Sequence, residues 1–383
     1  MSELPPLALY VHTPWCLQKC PYCDFNSHAV VAALDESAYV TALLKDLDLA
    51  LPLVRGRELI SIFIGGGTPS LFSGAAIGRL LDGVRSRLAC AADVEITLEA
   101  NPGALDQGHF PSYRQAGVNR ISIGVQSFSQ ELLRRLERIH GPQEALKAVA
   151  AARLAGIDNL NLDIMYGLPG QTMEQAEHDL TKAISLEPEH ISYYQLTLEP
   201  NTRFHTAPPE LPDDERIGEI EARGHELLQA AGYRQYEVSA FARAGFECRH
   251  NRNYWEFGDY LGIGAGAHGK ISDIASGVIG RTARPKTPAR YIEEAGISNM
   301  SAGINHVERR DLALEFMLNA LRLKQGFAPE LFERRTGLPL TYIQRELEQA
   351  AARGLLELSD ELIRPTAIGG RFLNELLDIF VVE

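Results

Sequence analysis

The chain has 383 residues, 45% of them hydrophobic, enough to bury one large core of ~250 residues beside a smaller companion domain. Its formal charge of −13 repels phosphate backbones and anionic lipid at long range, which sets nucleic acid aside as a partner. No basic region precedes an apolar stretch at the N-terminus and no run approaches ~18 uncharged apolar residues, so the expectation is a cytoplasmic protein with no integral membrane segment.

Short β-type runs alternate with helical stretches through the first two thirds of the chain. The predicted strands are Leu7 to His12, Leu59 to Ile64, Val94 to Leu98, Arg120 to Val125, Leu160 to Tyr166 and His190 to Leu198. Between them lie amphipathic helices: Glu36 to Ala50 carries Tyr39, Leu43, Leu44 and Leu47 on one face, and Gln143 to Leu154 repeats the spacing. Six such units predict an α/β fold, a partial (β/α)6 barrel over residues 1–230. A Pro- and acid-rich segment, Pro208 to Asp214, leads into a helix from Glu215 to Ala231. A strand from Tyr236 to Phe241 and a glycine-rich run from Gly258 to Gly269 follow, in a connecting segment taken as 231–304. Residues 305–383 read as a small helical domain of winged-helix type, with a turn at Gly337 to Pro339 and a strand-like Leu355 to Ile363. From Ser301 onward ten Lys and Arg stand against thirteen Asp and Glu, so this winged helix lacks the charge of a phosphate-tracking face.

Three of the five cysteines fall within eight positions, as Cys16-x-x-x-Cys20-x-x-Cys23, directly after the first strand. Clustered thiols in a reducing compartment mean metal more often than disulfides, and a loop at a barrel strand's carboxyl end is where such folds keep their chemistry. Three cysteines hold three irons of a cubane cluster, whereas ferredoxin-type ligation uses four. The fourth iron then stays open to chelation by the amine and carboxylate of an amino acid. The other chemistry the loop allows is zinc, completed by His12 or His28.

Gly65-Gly66-Gly67-Thr68-Pro69 follows the second strand and lets backbone approach a ligand closely, although alone it is more often a tight turn. Glu99, Gln126 and Asp163 each fall at or just past a strand end, where side chains face a barrel mouth; each is as often a helix cap or a solvated loop residue. Arg138 follows Arg134 and Arg135 and also reads as part of a solvated helix, and Tyr10 also reads as core.

The run YVHTPWCLQKCPYCDF, with GGGTPS, LEANPG, RISIGVQSF, NLDIMYGLPGQT, HNRNYW and DYLGIGAGAHG, resembles the radical S-adenosylmethionine superfamily. Within it the likeness is to the branch of oxygen-independent coproporphyrinogen dehydrogenase and its relative HemW, the haem chaperone. The resemblance implies a [4Fe–4S] cluster on Cys16, Cys20 and Cys23, and S-adenosylmethionine held by Tyr10, Gly66, Gly67, Thr68, Glu99, Gln126, Arg138 and Asp163. The dehydrogenase carries a fourth cysteine two residues beyond the third and a longer N-terminal extension; here that position is Phe25, with fifteen residues before Cys16. His250-Asn251-x-x-Tyr254 resembles the HemW haem-binding signature, and an imidazole is a strong axial ligand for haem iron. A lone His is also often a hydrogen-bonded structural residue.

The implied function is haem carriage to a respiratory-chain haemoprotein, reached through a protein partner at the membrane. The resemblance implies no coproporphyrinogen dehydrogenase activity. Oxygen-independent coproporphyrinogen dehydrogenase and radical methyltransferase are the alternatives.

Overall fold

The computed structural model describes residues 3–31, 33–273, 276–297 and 304–381, and the side chains of all of these except 104–106. The stretch 298–303, just before the expected boundary at 304, lies outside the described residues.

Twelve strands of the described residues form one sheet. Its centre is parallel, in the spatial order Asp259–Ile263, Leu7–Thr13, Glu58–Gly66, Ala89–Ala100, Arg120–Gln126, Asn159–Tyr166 and His190–Gln195. These strands are buried along most of their length, Leu7–Thr13 at all but one position. Parallel strands sheathed on both faces need such near-continuous apolar runs. Between the six predicted strands runs a partial (β/α) barrel, its helices started by side chains that meet orphan backbone N–H groups: Asp35 accepts from Ala38, Ser73 from Ala76 and Thr172 from Gln175. Leu43, Leu47, Leu80, Ile96, Ile121 and Leu162 share one hydrophobic core.

The sheet continues beyond the barrel. Asp259–Ile263 lies parallel to Leu7–Thr13, with Tyr10 opposite Gly262, and antiparallel strands His268–Asp273, Val278–Ala283 and Ile304–His306 extend that edge. Asp259, fully buried, pins the extension through Lys270 and Arg57, each at 2.9 Å. The glycine-rich run therefore holds a core strand. Gly262 allows it: a Cβ there would lie 1.8 Å from the carbonyl oxygen of His268.

Two predicted strands are divided. In place of one strand from Tyr236 to Phe241 there are Arg234–Gln235 and Ala240–Ala242. The buried Glu237 carboxylate accepts from the N–H and hydroxyl of Ser239, which folds the chain back between them. Leu355 to Ile363 is a hairpin, Leu356–Leu358 paired with Ile363–Pro365, turned where Ser359 Oγ accepts the N–H of Leu362. The hairpin joins helices Arg309–Ala320, Pro329–Thr336 and Gln344–Ala352 in a C-terminal unit with its own core of Phe316, Phe327, Phe332 and Leu347.

Candidate functional site

Parallel pairing brings the carboxyl ends of the barrel strands together. His12 stands opposite Gly65 and Thr13 opposite Gly66, so the cysteine loop and the glycine turn leave the sheet side by side. Trp15 and Cys16 pair with His28 and Ala29, closing the base of the loop. Gly67 N–H donates to Thr13 O (2.7 Å) and Thr68 N–H to Trp15 O (2.6 Å). A Cβ on Gly67 would lie 2.4 Å from that Trp15 oxygen. Gly67→Ala is therefore expected to part the turn from the loop, costing about 1–3 kcal/mol as overpacking does and lowering iron content per chain. Wild-type melting and iron content in this variant would count against the assignment.

Cys16, Cys20, Cys23, Gly66, Gly67, Thr68, Glu99, Gln126, Arg138 and Asp163 all line one cavity of about 240 Å³. Burial raises the Cys16 and Cys23 thiols, so a metal that takes them as thiolates must displace tightly held protons. Arg138 lies beyond the end of the helix Gln130–Arg135 and is turned inward. It donates to Cys20 Sγ (3.5 Å), Asn101 Oδ1 (2.7 Å) and Gly124 O (2.8 Å), while its Nε is buried without a partner among the described residues.

Glu99 Oε2 accepts the N–H of Gly66 at 3.0 Å. Burial, then the charge of Asp163, pushes the Glu99 carboxyl up to about 7; burial likewise raises Asp163, which accepts from Asn161 (2.8 Å) and Ser122 (3.3 Å). Two carboxyls held above their ordinary range in one cavity are a receptor for positive charge. Gln126 sits at φ 67°, a left-handed conformation costly for a side chain, at a register shift against Asn159–Tyr166. The bulge places its Oε1 against the Tyr194 hydroxyl at 2.7 Å.

A larger cavity of about 900 Å³ adjoins the first and shares Lys19, Asp24, Phe25, Ser27, Gly66 and Glu99 with it. Tyr10, His250, Asn251 and Tyr254 line this second space. Tyr10 donates to His12 Nδ1 (2.9 Å), whose Nε2 meets the Asn26 carbonyl; Tyr10 thus faces the second cavity and is not among the lining of the first.

His250 lies in the first turn of the helix Arg249–Trp255, whose N–H groups at Arg249 and His250 donate to Glu95. Its ring is 1% exposed, lies 5.0 Å from that of Phe63, and has Nδ1 3.0 Å from Ser61 Oγ and Nε2 3.0 Å from the Tyr254 hydroxyl. Burial, then Arg120, pushes it down to about 3, so it is neutral. Trp255, next to Tyr254 in the chain, faces another space, under the Arg322 guanidinium at 4.3 Å. Among the residues absent from the sequence-based site are Asn101, Ser122, Tyr194, Lys286 and His268. Asn101 and His268 stand inside the motifs LEANPG and DYLGIGAGAHG and had a sequence signal; Tyr194 and Lys286 had none.

Comparison with known proteins gives a consistent result. The radical SAM superfamily model matches residues 10–183, and the HemN C-terminal domain model residues 307–372. The chain is 51% identical to the heme chaperone HemW of Escherichia coli and 46% identical to that of Haemophilus influenzae, in both cases over 100% of each chain. It is 34% identical to the Bacillus subtilis heme chaperone HemW over 98% of this chain and 99% of that one. Among solved structures, that of the coproporphyrinogen III oxidase HemN of Escherichia coli superposes with a TM-score of 0.81 at 24% identity, covering 98% of this chain and 90% of that one.

Proposed function

The chain belongs to the HemW heme-chaperone family of radical SAM proteins, and from that premise we propose that it binds haem in the larger cavity and hands it to a haem-requiring acceptor protein. The observation that carries the reading is Phe25, 57% exposed on the wall common to both cavities. It stands where the dehydrogenase branch has a fourth cysteine, and it offers a flat apolar surface where that branch has a thiol.

The residues present fit the groups proposed. Three thiols on one loop beside an open cavity suit a [4Fe–4S] cluster with one free iron. The paired carboxyls Glu99 and Asp163 suit a ligand bearing ammonium and sulfonium charge, and the unpartnered Arg138 Nε is ready for its carboxylate. When bound, the cluster supplies the electron that reduces S-adenosylmethionine. In the larger cavity Tyr10, Phe63, Tyr254 and Tyr260 give ring faces for a macrocycle, and His250 and Asn251 add polar groups beside them. Burial keeps His250 neutral, so it adds a hydrogen-bonding group to this wall and no positive charge.

The acceptor proposed is a respiratory-chain haemoprotein, met through protein contact by a chain working in the cytoplasm. No described helix is long and apolar enough to cross a membrane, and a net charge of −13 gives no attraction to anionic lipid.

The test is an anaerobic titration of cluster-loaded protein with haem, followed at the Soret band. Saturable binding at one haem per chain, with no turnover of coproporphyrinogen under reducing conditions, is the expected result. Turnover of the porphyrinogen without saturable haem binding would replace this reading with the dehydrogenase one.

A further inference from the structure

We infer that His268 supplies the imidazole that takes haem iron in the larger cavity, with His250 held as an internal hydrogen-bonding residue by Ser61 and Tyr254. The inference rests on the haem-carrier reading above and assigns a ligand within it.

Four histidines line that cavity: His12, His28, His250 and His268. An iron ligand needs a ring nitrogen with a free lone pair facing the metal. His12 has both nitrogens engaged, by the Tyr10 hydroxyl and the Asn26 carbonyl. His28 donates through Nε2 to the Lys286 carbonyl at 3.3 Å, which leaves Nδ1 as its acceptor nitrogen on a ring that is only half-exposed and tied to the backbone. His250 has both nitrogens within 3.0 Å of hydroxyls and almost no exposed surface. His268 is exposed, and its ring makes no hydrogen bond to any described residue.

The backbone under His268 is fixed. It opens the strand His268–Asp273, paired with Ala283, after a turn closed by Ala267 N–H on Gly264 O at 3.0 Å. Arg284 N–H donates to Ala267 O (2.9 Å) and Gly266 N–H to Pro285 O (2.9 Å), tying the turn to the segment that bears Lys286. A ligand carried on such a hairpin is preorganised. Asn26 donates to both the Ala265 and Lys286 carbonyls, at 2.9 and 2.8 Å, so the cysteine loop is fastened to the same hairpin.

Lys286 gives the second point of contact. Its carbonyl is used by Asn26 and His28, while its ammonium forms no ion pair with any described residue and lines the same cavity. Haem carries two propionate carboxylates, so a cation beside an iron ligand fixes the orientation of the macrocycle as well as its position.

The experiment titrates cluster-loaded wild type, His268→Ala, His250→Ala and Lys286→Ala with ferric haem, reading the Soret maximum and the iron spin state by electron paramagnetic resonance. The expected result for His268→Ala is at least tenfold weaker binding, loss of the imidazole-ligated spectrum, and recovery of that spectrum when free imidazole is added. Lys286→Ala should weaken binding several-fold with the spectrum unchanged. His268 is exposed, and unchanged iron and sulfide content establishes that its variant is folded. Wild-type affinity and spectrum in His268→Ala, with both lost in His250→Ala, would overturn the assignment while leaving haem carriage standing. Absence of saturable binding by the wild type would overturn both.

Discussion

Cys20→Ala is expected to abolish the visible absorption of the iron–sulfur cluster and reduce iron and sulfide per chain to near zero. The thiol is half-buried on the cavity wall and accepts from Arg138 at 3.5 Å. Its loss leaves two thiols, too few to hold a cubane against solvent. It also strips Arg138 of one partner when the guanidinium Nε already has none, so binding of S-adenosylmethionine should fall with the cluster. The fold should survive, because Cys20 lies on a loop whose base is closed by the pairing of Cys16 with Ala29. Circular dichroism like that of wild type, with iron absent, is the pattern to look for; iron and sulfide at the wild-type level would sink the ligand assignment.

Glu99→Gln is expected to stabilise the cofactor-free protein at pH 8 while weakening its hold on S-adenosylmethionine. The carboxyl moves from an ordinary value of 4.5 up to about 7, chiefly through burial and next through Asp163. The folded state therefore keeps this proton more tightly than the unfolded chain. The stability so gained is complete below pH 4.5 and is lost as pH rises through about 7. The loss amounts to roughly 3 kcal/mol at most, at 1.36 kcal/mol per unit. Glutamine carries no charge and escapes it, so the melting temperatures should coincide near pH 4 and separate in favour of the variant by pH 8. A cationic ligand reverses the sign, because it rewards the ionised carboxyl; affinity for S-adenosylmethionine should drop about 10- to 100-fold, as for a charge-assisted hydrogen bond. A melting difference independent of pH would show that the carboxyl is not strained in this way.

Much of this site could be anticipated from residue order alone. Cys16, Cys20 and Cys23 follow an apolar strand, and Glu99 and Gln126 stand at the ends of theirs, so strand recognition and polar punctuation located them; Asp163, expected at a strand end, instead lies within Asn159–Tyr166 with three residues of strand after it. The strand Asp259–Ile263 escaped because its glycines look like loop, when their purpose is close approach of Gly262 to His268. Glu237 defeated the strand reading around it through a side-chain bond that no periodicity encodes. Tyr194 and Lys286 were hidden for a different reason: each reaches its cavity through tertiary folding from segments distant in the chain. The motif around His250 marks it as a candidate, yet its hydrogen bonds to Ser61, 189 residues earlier, and to Tyr254 appear only in three dimensions.

Gly66 and Glu99 belong to the walls of both cavities. Glu99 accepts the Gly66 N–H, so a ligand that draws the carboxylate toward one side alters the surface offered to the other. If the two cavities hold S-adenosylmethionine and haem as proposed, thermodynamic linkage fixes a reciprocity: whatever factor cofactor occupancy applies to haem affinity, haem must apply to cofactor affinity. Loading and unloading of a carrier built this way are two readings of one coupling free energy. Depletion of the cofactor would then bias the release of cargo without any large movement of the fold.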